Sequence, residues 1–154
     1  MKTAILIDGG FFIRRYKFIE GFYVDDSAET MAKNLVSYCF RHIQRVNNYR
    51  SKYNLEPTEL YRIFYYDANP YDGDSHNPIS NKSFNFKNTV QYKFRHALFS
   101  ALKNQRKIAL RLGFLKNASK NWVIRARYTK PLLNGKMRIE ELTDSDIEFP
   151  LNQK

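Results

Sequence analysis

Two short apolar runs, each ending in an aspartate and separated by one long amphipathic stretch, constrain this chain more than any other feature. Thr3-Ala4-Ile5-Leu6-Ile7 leads into Asp8-Gly9-Gly10, and Leu60-Tyr61-Arg62-Ile63-Phe64-Tyr65-Tyr66 leads into Asp67. The first run shows no polar alternation, the pattern of a strand buried on both faces in a parallel sheet. Phe11 to Phe22 reads as a short helix or irregular chain. Asp26 is then placed as a helix N-cap with Glu29 completing a capping box. Met31, Leu35, Cys39, Ile43 and Val46 recur at spacings of three and four, which predicts a helix to about Tyr53 with one apolar stripe.

Asn69-Pro70, Asp72-Gly73-Asp74 and Asn77-Pro78 mark a loop from Ala68 to Lys82. Phe84 to Asn104 reads as a helix carrying Phe94, Leu98, Phe99 and Leu102 inward. Ile108 to Leu115 is the third strand. Trp122 to Tyr128 alternates like a strand, and Asn134-Gly135 is a hairpin signal leading to another at Met137–Leu142, so a β meander is predicted. The tail from Thr143 shows no element. The order predicts an α/β fold with a mostly parallel sheet and helices on both faces, in a single domain over residues 1–154.

Length and composition agree with one packed domain, at 154 residues and 43% hydrophobic. A single cysteine, Cys39, excludes an internal disulfide framework and a multi-cysteine zinc site. No apolar run approaches the ~20 residues that span a bilayer. The N-terminal run ends at Asp8, too early for a signal-peptide core. A soluble, cytoplasmic protein without a membrane partner is expected.

Charge gives the first functional clue. The chain has 26 Lys+Arg against 15 Asp+Glu, net +11. Residues 1–74 balance ten bases against ten acids, whereas residues 75–139 hold fifteen Lys/Arg and no acid at all. Such a stretch points to a polyanion, and nucleic acid first. Arg125 and Arg127 share one face of the predicted strand, and with Arg111, Lys116 and Lys120 they are the candidate phosphate contacts. Phe84, Phe86, Tyr92, Trp122 and Tyr128 are interleaved, and exposed aromatics stack on unpaired bases. Trp122, Phe94 and Phe99 read first as core residues.

Asp8 and Asp67 each follow a strand. In a parallel sheet, carboxyl ends of strands share one edge, where ligands bind. Adjacent strands would set the two carboxylates about 5–8 Å apart, given a strand spacing near ~4.8 Å. Paired carboxylates need a compensating charge, which Mg²⁺ or Mn²⁺ supplies. The alternative is that both are turn or cap residues.

Ile5-Leu6-Ile7-Asp8-Gly9-Gly10-Phe11-Phe12 resembles the opening of NYN-domain proteins, which are PIN-like nucleases. Phe64-Tyr65-Tyr66-Asp67 is similar to that family's second strand, and Leu110-Arg111-Leu112-Gly113-Phe114-Leu115 to its third. Leu151-Asn152-Gln153-Lys154 resembles the start of its Gln-Lys-Gly-Val-Asp segment. The resemblance implies a Rossmann-like, PIN-like three-layer fold and metal-dependent RNA cleavage, with Asp8 and Asp67 as catalytic and metal-binding acids. It also departs from the family. Phe11 stands where some members have Asn, and the later acidic motifs are not reached by Lys154. Asp144, Asp146 and Glu148 lie upstream of that segment and are not its equivalents. A chain matching only the front of the family is expected to be weak or inactive as a nuclease by itself.

The remaining chemistry-bearing residues read plainly. Asp72 and Asp74 lack the glutamate of a calcium loop and are exposed loop acids. His42, His76 and His96 have no metal-ligand spacing, and His76 is the nearest in sequence to Asp67. Cys39 is a buried helix residue without a nucleophile signature. Gly9-Gly10 is not a phosphate-binding glycine motif. The functional expectations are a metal-dependent ribonuclease domain, a nucleic-acid-binding module without catalysis, or a fragment that completes its open sheet by pairing with a second copy.

Overall fold

The computed structural model describes residues 1–19, 27–116 and 121–153. In chain order they form β1 (Lys2–Asp8), α1 (Gly9–Ile19), α2 (Ala28–Lys52), β2 (Glu59–Asn69), β3 (Asp74–His76), β4 (Ser83–Asn85), α3 (Val90–Lys103), β5 (Ile108–Lys116), β6 (Val123–Ile124), α4 (Ala126–Leu133), β7 (Ile147–Glu148) and β8 (Asn152–Gln153). Short 3₁₀ turns lie at Phe86–Asn88, Ile139–Glu141 and Asp144–Asp146. The fold is mixed α/β with a parallel sheet. Two compact units divide the chain: 1–69 with 93–113, and 70–92 with 114–154.

The first unit is built on β1, β2 and β5, in that order. β1 and β2 are parallel, with Ile5 opposite Ile63, Ile7 opposite Tyr65 and Asp8 opposite Tyr66. The register shifts between Thr3 and Ala4, where β2 carries one extra residue, Tyr61. Ile5, Ile7, Ile108, Leu110 and Leu112 pack against a core of Tyr16 from α1, Met31, Leu35, Cys39 and Ile43 from α2, and Leu98, Phe99 and Leu102 from α3. The helical stripe read from the sequence is therefore the buried one. The cap of α2 is Ser27, whose Oγ accepts a hydrogen bond from the Thr30 N–H at 3.2 Å. Asp26, expected to cap, lies outside the described residues.

Burial of β1 on both faces does not hold. Its residues alternate between exposed and half-buried, and Leu6 is 66% exposed. Only one face of β1 meets the core, so its unbroken apolar run reflects something other than two-sided burial.

The second unit contains the antiparallel hairpin β3–β4, with Ser75 opposite Phe84, in the stretch expected to be loop. Phe84, Phe86, Tyr71, Trp122 and Phe149 pack ring against ring with centroids 4.8–6.4 Å apart. The Trp122 Nε1–H donates to Ser75 Oγ at 2.9 Å. Trp122 is thus part of a small aromatic core. β6 pairs antiparallel with β7, and the last residues of β5, Leu115 and Lys116, pair antiparallel with Gln153 and Asn152 of β8.

The predicted β meander is overturned, because Ala126–Leu133 is helical. Tyr128, Pro131 and Leu132 are half-buried at helical spacing, while Arg127, Lys130 and Leu133 are exposed. The Asn134-Gly135 signal was real but served another end. A type I′ hairpin needs positive φ at both residues; Asn134 has φ −98° and only Gly135, at +70°, is left-handed. Gly135 instead terminates α4, its N–H donating to the Leu132 carbonyl while the Asn134 N–H donates to Lys130. The predicted helix over Phe84–Asn104 is likewise shorter, starting at Val90 after β4 and a 3₁₀ turn.

Candidate functional site

Asp8 and Asp67 come to the same end of adjacent parallel strands, since Asp8 is registered with Tyr66 and Asp67 follows it. Strand alternation then separates them. Asp67 shares a face with Tyr65 and is buried, whereas Asp8 shares a face with Tyr66 and is exposed. Asp8 Oδ1 accepts the Phe11 N–H at 2.8 Å. Asp8 therefore acts as the N-cap of α1, satisfying one of its free amide groups.

Asp67 is held from several sides. Nη1 of Arg95 lies 2.5 Å from Oδ1 and 2.6 Å from Oδ2. The Ala68 N–H donates to Oδ1 at 2.8 Å, and the Tyr65 hydroxyl donates to Oδ2 at 3.5 Å. Burial, followed by the Asp67 carboxylate, pushes the Tyr65 hydroxyl above the ordinary tyrosine range, so it remains a donor. Gly9 passes close over the cluster. A Cβ there would stand 2.6 Å from Asp67 Oδ2 and from Tyr65 ring carbons. The glycine lets the chain turn from β1 into α1 against the buried acid.

The NYN resemblance implies a divalent ion on Asp8 and Asp67; in this arrangement Arg95 already neutralises the Asp67 carboxylate. Both Asp67 oxygens already face one guanidinium nitrogen, whose positive charge repels a second cation. Asp8 spends an oxygen on the helix cap and projects from the other face. Among the described residues no three His, Cys, Asp or Glu side chains gather into a metal-holding group.

Arg95 is the residue that sequence reading missed, having counted it with the basic stretch. A signal was present. Arg95 stands three, four and seven residues before Leu98, Phe99 and Leu102, on the buried stripe of α3. A cation on an apolar stripe calls for an acid beneath it.

The expected phosphate contacts fall in both units. Arg111 in β5 lies over the Phe64 ring, 5.4 Å from its centroid. Arg125 is at the N-cap position of α4, where its guanidinium meets Glu148 Oε2 at 3.7 Å in solvent. Arg127 lies one turn into α4, 4.7 Å from the Tyr128 ring centroid. The two arginines do not share a strand face, since they begin a helix. Lys116 ends β5, and Lys120 lies outside the described residues. Arg127 and Lys130 make α4 a basic helix free of acids. In the first unit Lys93, Lys103, Arg106, Lys107 and Arg111 are exposed.

Burial pushes the Cys39 thiol up to about 11, which keeps it an inert core group. His42 and His76 are exposed, and Asp72 pairs with Lys87 at 3.8 Å at the surface. No helix among the described residues is long and apolar enough to cross a membrane. No family model, no curated protein and no solved structure matches the chain.

Proposed function

We propose that the chain is a nucleic-acid-binding module that holds RNA chiefly through its phosphates, on an NYN-like α/β scaffold. The observation that carries this reading is the stretch 75–139, with fifteen Lys/Arg and no carboxylate. All but Arg95 of its described cations with described side chains are exposed. Exposed cations without interleaved acids gain affinity by releasing counterions from a polyanion. Arg95 is the exception because it neutralises Asp67.

A metal-dependent ribonuclease is the second reading. It is favoured by one observation, that Asp8 and Asp67 lie near the same end of neighbouring parallel strands. One experiment addresses both. Labelled single-stranded RNA is titrated with the chain across a salt series, and the same RNA is incubated with Mg²⁺ or Mn²⁺ and run on a denaturing gel. Binding that weakens steeply with salt and leaves the RNA intact supports the module. Metal-dependent cleavage lost in Asp67→Asn supports the nuclease. A flat salt response with intact RNA overturns both.

A further inference from the structure

Among the described residues β1 has a single strand neighbour, β2, and is an edge strand of its sheet. Edge strands are ordinarily blunted by brevity, proline, a bulge or a charge in mid-strand. β1 has none of these. It is seven residues long, its charges stand only at the ends, Lys2 and Asp8, and the extra residue of the β1–β2 bulge belongs to β2. Thr3-Ala4-Ile5-Leu6-Ile7 between those charges is the most uniformly apolar strand of the unit, and Leu6 is largely exposed.

An open groove of about 420 Å³ runs along this edge. Ile5 to Asp8 form one side, Phe11 and Arg15 of α1 and Leu35, Tyr38 and His42 of α2 the other. Phe11 is mostly exposed, and the Tyr38 hydroxyl is buried without a hydrogen-bond partner among the described residues. Mostly apolar walls of this kind suit apolar side chains.

We propose that β1 pairs antiparallel with β1 of a second copy of this chain, about a two-fold axis at Ile5. The strand is complementary to itself in this register. With Ile5 opposite Ile5, Ala4 faces Leu6, Thr3 faces Ile7, and Lys2 faces Asp8 at both ends. Opposed residues in an antiparallel pair point to the same face. Leu6 of each copy would cover Ala4 of the other, and two opposite-charge pairs would close the ladder. Such an interface is isologous, so it stops at two copies rather than growing into a fibre.

Sedimentation equilibrium of the whole chain tests the pairing. A mass twice 18.3 kDa is expected. Leu6→Lys puts a charge on an already exposed position and should weaken association by about tenfold or more, with an unchanged circular dichroism spectrum. Lys2→Glu sets like charges opposite each other twice and should raise the dissociation constant by about tenfold. Ile5→Cys should form a disulfide-linked dimer on mild oxidation, and Ala4→Cys should not. A monomer at every concentration, a dimer indifferent to Leu6→Lys, or cross-linking at position 4 but not 5 overturns the proposal.

Discussion

Nη1 of Arg95 sits between the two carboxylate oxygens of Asp67, 2.5 Å from one and 2.6 Å from the other, although the residues are 28 apart in the chain. The acid's side chain is 5% exposed and the arginine's 29%. Asp67 ends the buried face of β2, and Arg95 ends the apolar stripe of α3. Their pairing joins helix to sheet at the end of the strands where a ligand would otherwise be sought. Arg95→Met leaves the carboxylate buried without its partner, at a cost of about 2–3 kcal/mol once the arginine's partial exposure is allowed for. Urea denaturation measures it. Asp67→Leu combined with Arg95→Met should recover most of the loss, because no charge then remains buried.

The adjacent glycines should respond in opposite senses. Gly9→Ala drives a methyl group to 2.6 Å from Asp67 Oδ2 and the buried Tyr65 ring, neither of which is free to swing aside. Overpacking of this kind costs about 1–3 kcal/mol, more than the helix propensity gained. Gly10→Ala meets nothing closer than 3.5 Å, so it should stabilise α1 by about 0.5 kcal/mol. Thermal melts of the two variants, compared with the unaltered chain, should shift in opposite directions.

Acid should loosen the second unit through Asp146. Its carboxylate accepts hydrogen bonds from Tyr128 and Thr143, which hold its pKa at about 2 against an ordinary 3.8. The Thr143 N–H and Oγ1 contacts are 2.9 and 2.7 Å. A depressed folded-state pKa gives stability that is present above the ordinary value and lost as pH falls through the folded one. The change is therefore expected between about pH 4 and pH 2. Trp122, the chain's one tryptophan, lies in this unit, and its fluorescence reports the transition. Asp146→Asn should remove the pH dependence in that window.

RNA binding should depend on α4. Arg127 and Lys130 are exposed on a helix without acids, so Arg127→Ala with Lys130→Ala should flatten the salt dependence by about one unit per lost phosphate contact. Arg125→Ala should do less, because Glu148 already screens it. Unchanged slopes in the Arg127 and Lys130 variant would move the binding surface away from α4.

The elements whose signal is local were legible in the residues alone. The spacing of Met31, Leu35, Cys39 and Ile43 marked the buried face of α2, and the apolar runs before Asp8 and Asp67 marked β1 and β2. Backbone periodicity is written in neighbouring residues, so it survives without knowledge of the rest of the chain. What those elements meet came from the packing of the folded chain. It gave Asp67 to Arg95, turned Asn134-Gly135 from a hairpin into the end of α4, and left β1 at the edge of its sheet. A carboxylate's partner and a strand's neighbour are fixed by packing between segments far apart in sequence, and a glycine's left-handed φ serves a turn or a helix end equally well.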